Sequence, residues 1–365
     1  MKQLLSLSSD GQILAAALGV QPFVVVAPST IVHRPPASPF PIQSVIAAPG
    51  LFAYAANKLA MVYSVSSTSI AEKARITLPK KSSSLTFLPS TPHTPAMLAV
   101  SDKAGDVTSY SLGSPSSSRH VTGHTASMVT SLSYDAVTNC VLSGDRDEKV
   151  RLTTIASPHR LKGILMGHEA FITAVDSLEG KAATCSGDGT VRVWDLVSTE
   201  EMGRAVRGGK GVPGCCTVVD AGQKITVAYA VDDDSAFYVA TTTAEGGEMV
   251  SKKVGVEDGT VIGLESLGGG KVAVMTSEYP HLYVYDIKTD NSASSDPLVA
   301  ALASAAKGIS GVPSRLIEGE SQQGGKETGD AALVKQSKKH EVDRRLNDKG
   351  SAAKRRKKEG EEVKE

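Results

Sequence analysis

Apolar residues in this chain fall in short runs, and the runs come in pairs joined by Asp, Gly or Asn. The first run of each pair reads ILAAAL from Ile13, LFAYAA from Leu51, AMLAVS from Ala96, CVLSG from Cys140, AATCSG from Ala182, ITVAYAV from Ile225 and KVAVMTS from Lys271. The second reads PFVVV from Pro22, LAMVYSV from Leu59, DVTSYSL from Asp106, VRLTTI from Val150, VRVWDL from Val191, AFYVATT from Ala236 and HLYVYDI from His281. Short runs rich in β-branched and aromatic residues, bounded by turn formers, predict antiparallel hairpins. Taking Phe23, Val62, Val107, Val150, Val191, Phe237 and Leu282 as equivalent, successive intervals are 39, 45, 43, 41, 46 and 45 residues. A period of about 40–45 residues is that of one four-stranded propeller blade. Seven marks therefore predict an all-β, seven-bladed β-propeller.

The segment from Gly167 to Leu196 carries the local signature of a WD repeat. Gly167-His168 opens it, Trp194-Asp195 closes it, and Ser186-Gly187-Asp188-Gly189-Thr190 forms a tight turn between them. By that resemblance His168, Ser186, Asp188 and Trp194 are expected to form the hydrogen-bonded tetrad that rigidifies a blade by giving buried polar groups partners. The preceding repeat keeps Gly123-His124 and Asp147 but has Asp145 and Thr153 where Ser and Trp would stand. The other blades lack the signature.

Seven blades need roughly 300 residues, which leaves a tail on a chain of 365. The expected division is a propeller over 1–308 and a flexible linker with a charged, basic tail over 309–365. From about Ser310 large apolar residues almost vanish, so burial cannot offset ordering entropy and disorder is expected. The formal net charge is zero, yet residues 335–365 hold twelve Lys/Arg against seven Asp/Glu. Lys354, Arg355, Arg356, Lys357 and Lys358 resemble a nuclear localisation signal, so a nuclear location is expected. The cysteines, Cys140, Cys185, Cys215 and Cys216, have no metal-ligand spacing. Neither a leader peptide nor a membrane span is expected from the apolar runs, which are short and interrupted.

The motifs SDKAGDV at Ser101, TGH at Thr122, DRDEKVR at Asp145, GHEAFIT at Gly167 and SGDGTVRVW at Ser186 narrow the reading. Together and in this order they resemble the WD-repeat non-catalytic subunit of the eukaryotic tRNA (guanine-N7-)-methyltransferase. One departure is Ala170, where the family pattern has Glu; Glu169 lies one position earlier. The resemblance implies a heterodimer in which a separate catalytic subunit binds S-adenosylmethionine and methylates N7 of a guanine in the tRNA variable loop. This chain would stabilise and activate that partner, contribute no catalytic group and bind no cofactor itself. Arg146, Glu148, Lys149, Arg151 and Arg192 are the implied partner-binding residues.

Each of these has a plainer reading. A charged turn is ordinarily a solvated turn, and Arg192 alternates with Val191 and Val193 as a strand surface residue would. The other function classes considered are a generic nuclear WD scaffold in chromatin or ribosome assembly, and a propeller enzyme. For an enzyme the sequence offers no Gly-rich loop that would cradle S-adenosylmethionine, no P-loop and no HExxH.

Overall fold

The computed structural model describes residues 3–305 apart from 28–30, 91–94, 126, 159, 207–210, 244, 257–258, 279–281 and 294–296. The strands assemble into seven sheets, each built on four antiparallel strands, spanning 5–33, 44–77, 82–123, 129–166, 172–206, 213–255 and 261–293. These are blades 1 to 7. The residues that mark the sequence period all sit in the third strand of their blades and are buried. The apolar runs preceding them form the second strands. Both strands are sandwiched between neighbouring blades, so they read as continuous apolar runs rather than as alternating ones.

Blade 5 has a fifth member: Gly247–Glu248, from the last turn of blade 6, pairs in parallel with the outer strand Glu201–Val206. Among the described residues no blade borrows a strand from the opposite end of the chain. The ring closes instead by contact between the first strands of blades 1 and 7, Leu5–Leu7 and Val261–Gly268. The apolar segment near the end of the described chain forms a helix, Pro297–Ala305, that covers this seam. Val299 and Leu302 join the core shared by blades 1 and 7, and Arg34 donates to the carbonyl of Ala305 at 2.8 Å.

The first strands line the ring axis and are stitched to one another by side chains. In six of the seven junctions a side-chain oxygen of one first strand accepts a backbone N–H from the next. Ser6 accepts from Ala47, Ser84 from Leu132, Ser131 from Val175, Asp176 from Val218, Thr217 from Ser266 and Glu265 from Leu7. At the junction of blades 2 and 3 the corresponding position is Ile46, whose side chain carries no acceptor. Asp176 and Glu265 line a cavity of about 60 Å³ at the axis. Enclosure by protein pushes both carboxyls above their ordinary range, Glu265 strongly, with the nearby Asp176 charge adding to the effect.

Candidate partner-binding site

Turns between second and third strands, and the loops leading from one blade to the next, lie on one face of the ring. In blade 4 that turn is Asp145-Arg146-Asp147-Glu148-Lys149; in blade 5 it is Ser186-Gly187-Asp188-Gly189-Thr190. Both join strands in equivalent register, with Ser143 opposite Arg151 and Thr184 opposite Arg192. Gly189 takes φ +81° in the blade 5 turn, and the matching residue in blade 4 is Glu148 at +73°. A left-handed backbone on a residue with a Cβ costs roughly 1–2 kcal/mol. Six other non-glycine residues among those described share this conformation, Glu179 and Thr199 included; Glu148 differs in lying on the charged turn whose neighbour uses glycine.

The blade 4 turn is fixed from beneath. Asp145 Oδ1 accepts from the backbone N–H of Asp147 at 2.8 Å and of Lys149 at 3.1 Å, while Oδ2 lies 2.7 Å from His124 Nδ1. The other ring nitrogen of His124 meets Ser143 Oγ at 2.7 Å. Burial alone would raise the Asp145 pKa; the His124 contact and the two backbone donors outweigh it and bring it below the usual value. Arg146 N–H donates to Met128 O, tying the turn to the loop from blade 3. Arg146 and Asp147 are exposed, Glu148 and Lys149 half-buried. This is a rigid platform with charged side chains at its rim.

The tetrad of blade 5 differs from the sequence expectation in one member. His168 Nδ1 lies 3.0 Å from Asp188 Oδ2, but its Nε2 meets Thr184 Oγ1 at 2.7 Å, and Trp194 Nε1 donates to the same hydroxyl at 2.8 Å. Ser186 Oγ turns to the carbonyl of Ala170 instead. Thr184 lies two residues back, on the same face of the strand and deeper between His168 and Trp194; Ser186 stands at the strand end. In blade 4, Ser143 and Asp145 take the corresponding roles, so Asp145 rather than Asp147 is the acid of that blade. Thr153, at the Trp position, buries a hydroxyl without a partner.

Two of the expected partner-binding residues are used internally. Arg192 is only 7% exposed and its Nη1 is paired with the Glu201 carboxylate of the neighbouring outer strand. A guanidinium so enclosed is no surface donor, which corrects the expectation for it. The reason is local: the outer strand brings Glu201 beside Arg192, and Gly167 leaves room, since a Cβ there would lie 2.7 Å from Arg192 Nη1. Arg151, half-buried, donates through Nη1 to Gly123 O at 2.9 Å. That leaves Arg146, Glu148 and Lys149 at the rim. Sequence reading missed two exposed apolar residues in blades 4 and 5, Met166 (67%) and Val206 (57%), which end equivalent outer strands. An apolar centre with charged flanks is the usual composition of a protein interface. Ala170 is buried and Glu169 exposed, so the carboxylate available in this loop is that of Glu169. The thiols of Cys140, Cys185 and Cys216 are buried, and burial helps raise their pKa values, as befits core residues. The tail expected over 309–365, with its basic cluster Lys354–Lys358, lies outside the described residues.

Comparison with known proteins agrees with this architecture. The WD domain, G-beta repeat family matches residues 115–153 and 159–195, the ground of blades 3 to 5. The tRNA (guanine-N(7)-)-methyltransferase non-catalytic subunit WDR4 of Homo sapiens is 33% identical over 130 residues, 34% of this chain and 30% of that protein. The counterpart from Dictyostelium discoideum is 24% identical over 241 residues, 56% of this chain and 51% of its own. The chain thus spans about a third to a half of the length of these relatives. A chain in the crystal structure of the mitotic checkpoint complex superposes with a TM-score of 0.62 over 76% of this chain and 84% of its own, at 16% identity, which is a likeness of fold alone. The chain is a seven-bladed β-propeller with WD repeats over residues 115–153 and 159–195, and through part of its length it is similar to the non-catalytic subunits of tRNA (guanine-N(7)-)-methyltransferases.

Proposed function

We propose that this chain is the non-catalytic subunit of a heterodimeric tRNA (guanine-N7-)-methyltransferase, and that it grips its catalytic partner with the turn face of blades 4 and 5. The observation that carries this is the Asp145–Lys149 turn. It carries the motif on which the family resemblance chiefly rests, is locked from below by His124, and holds Glu148 in a left-handed conformation that the adjacent blade assigns to glycine. Strain retained on a rigid charged turn supports a role in recognition. Arg146 and Lys149 complement acidic groups of the partner and set the register of docking, while Met166 and Val206 supply apolar area.

Methyl transfer and S-adenosylmethionine binding belong to the partner in this reading. The propeller's contribution is to hold the partner in its active conformation. The cluster Lys354–Lys358 serves nuclear import. Co-purification from cells expressing the tagged full chain tests the proposal. Recovery of a methyltransferase-fold protein, with N7-guanine methylation of tRNA by the pair and by neither alone, is the expected result. Micromolar binding of S-adenosylmethionine to the lone chain, measured by calorimetry, overturns it.

A further inference from the structure

An outer strand has one row of backbone N–H and C=O groups facing away from its blade, a template on which another extended chain can add; edges of this kind are ordinarily protected by shortness or by charge. The outer strands Ile31–His33 and Asn291–Ala293 are three residues long. Ile70–Thr77 carries Glu72, Lys73 and Arg75, Ser118–Gly123 carries Arg119 and His120, and Val250–Gly255 carries Lys252 and Lys253. The outer strand of blade 4, Leu161–Met166, has neither protection. Its six residues hold one charge, Lys162, and among the described residues no strand pairs with its outer side. Leu161 is 39% and Met166 67% exposed, and Ile164 is half-buried.

Blade 5 shows what fills such an edge. Gly163 lies opposite Leu152 and Ile164 opposite Arg151, just as Gly203 lies opposite Val193 and Arg204 opposite Arg192, so the two outer strands correspond position by position. A threonine of the next blade stands over each glycine: a Cβ at Gly163 would lie 2.7 Å from Thr199, and one at Gly203 would lie 3.0 Å from Thr242. On blade 5 the extended segment Gly247–Glu248 then adds in parallel, with Gly247 beside Gly203 and Glu248 beside Arg204. Met249 N–H donates to Arg204 O at 2.9 Å. The N–H and C=O of one strand residue point to the same side and alternate along the strand. The outward groups of blade 4 are therefore those of Ile164, which matches Arg204, and of Met166 two residues on. In blade 5 the connection 196–200, which would correspond to the segment holding Gly247–Glu248, forms no strand, and the edge of blade 4 stays open.

We infer that Leu161–Met166 is a strand-addition site for an extended segment of a further protein, which pairs with it in parallel as Gly247–Glu248 pairs with blade 5. The chemistry of that segment follows from the differences between the two edges. Opposite Gly163 it has a small residue, because Thr199 already crowds the glycine. Opposite Ile164 it has an aliphatic residue, where blade 5 matches Glu248 to Arg204. Lys162 near one end and Lys149, the neighbour of Met166, at the other favour carboxylates flanking the apolar pair. Main-chain hydrogen bonds supply the affinity and these side chains the specificity. The site lies on the outer strand rather than on the turns, and it does not rest on the proposed function.

The test adds a synthetic peptide to the full chain and follows hydrogen exchange at single amides. The peptide has the sequence of residues 243–252 with Glu248→Val, and the unchanged sequence is the comparison. The valine peptide is expected to slow exchange at Ile164 and Met166. It should bind on the order of tenfold more tightly than the unchanged one, which sets a carboxylate against Ile164. Ile164→Pro removes one outward N–H and leaves the ladder to the third strand intact, so it should weaken the peptide by about tenfold at an unaltered thermal midpoint. Ile164→Lys, which charges the edge but keeps the N–H, should show the same loss and serves where the proline variant unfolds. Equal binding of the two peptides, binding that leaves these amides exchanging freely, or no slowing at millimolar peptide overturns the inference. Slowing of the same amides in the peptide-free chain as its concentration rises would make the occupant a second copy. Slowing by a captured methyltransferase subunit alone would assign the edge to the interface already proposed. Either result overturns a separate partner.

Discussion

Asp188 Oδ2 stands 3.0 Å from Nδ1 of His168, both side chains almost wholly enclosed. Burial acts to raise the Asp188 pKa, but the His168 hydrogen bond and its charge, with the Thr190 hydroxyl and the Glu169 N–H, bring it well below the ordinary value. Asp145 in blade 4 is lowered in the same way by His124. A carboxyl whose folded pKa is depressed adds stability above its unfolded value, lost as pH falls through the folded one. Below about pH 4 the propeller is therefore expected to weaken progressively. Denaturant unfolding of the chain and of Asp145→Asn/Asp188→Asn across pH 2–6 checks this. The double variant should be the less stable at pH 6 and should lose less on acidification.

The tetrad's hydroxyl belongs to Thr184, so Thr184→Val should cost more than Ser186→Ala. The first leaves His168 Nε2 and Trp194 Nε1 without a partner, and unsatisfied buried groups cost about 1–3 kcal/mol each. Trp194→Ala, which removes a buried aromatic, is expected to cost about 3–5 kcal/mol. Equal midpoints for the Thr184 and Ser186 variants would show that the shared hydroxyl contributes no more than that of Ser186.

Arg192→Glu places a second carboxylate against Glu201 at an enclosed position. Breaking such a pair is expected to destabilise the fold by about 3–5 kcal/mol. Thermal unfolding of the free chain should register the change, and Arg192→Glu/Glu201→Arg should restore much of it. A folded single variant with normal stability but weak partner binding would return Arg192 to the interface.

Glu148→Gly removes a Cβ from a left-handed position, so it should stabilise the free propeller by up to about 1 kcal/mol. If Glu148 is retained for recognition, the same change weakens capture of the catalytic subunit. Arg146→Glu/Lys149→Glu should weaken capture with no loss of thermal stability, since both sit at the rim of the turn. Unchanged dissociation constants for both variants would move the interface away from this turn.

Asp176 and Glu265 have carboxyls raised chiefly by enclosure. A raised folded pKa means that their stabilising contribution is complete below the unfolded value and is lost as pH rises through the folded one. Asp176→Asn and Glu265→Gln keep an oxygen to accept the N–H of Val218 and Leu7 while removing the charge. Both are expected to raise the unfolding midpoint at pH 7–8 and to matter little near pH 4. A lower midpoint at neutral pH for both would show that the ionised form is the one the ring requires.

What could be read in the sequence follows from burial. Second and third strands, such as Ile13–Leu18 and Gln21–Val26, are enclosed on both sides and announce themselves as apolar runs. Outer strands such as Val250–Gly255, exposed at nearly every position, resemble loops. First strands carry Ser6, Ser84 and Ser131, whose hydroxyls serve the ring axis; in sequence these serines look like turn residues. The Asp145–Lys149 turn was legible because its motif is distinctive. The enclosure of Arg192 was not, because it depends on Glu201 arriving from an adjacent strand nine residues later.

Since each blade is contiguous in sequence and the ring is sewn by side chains at its axis, the positions of the chain ends are arbitrary as far as the architecture goes. The one junction at which no first-strand side chain accepts an N–H from the next, where Ile46 stands and Ser82 reaches across to Gln43 and Asn57 instead, is then the natural place to cut. A circular permutant opened in the loop 78–81, with its old ends linked beyond the helix Pro297–Ala305, would keep all six stitches and begin and end where the first strands share none.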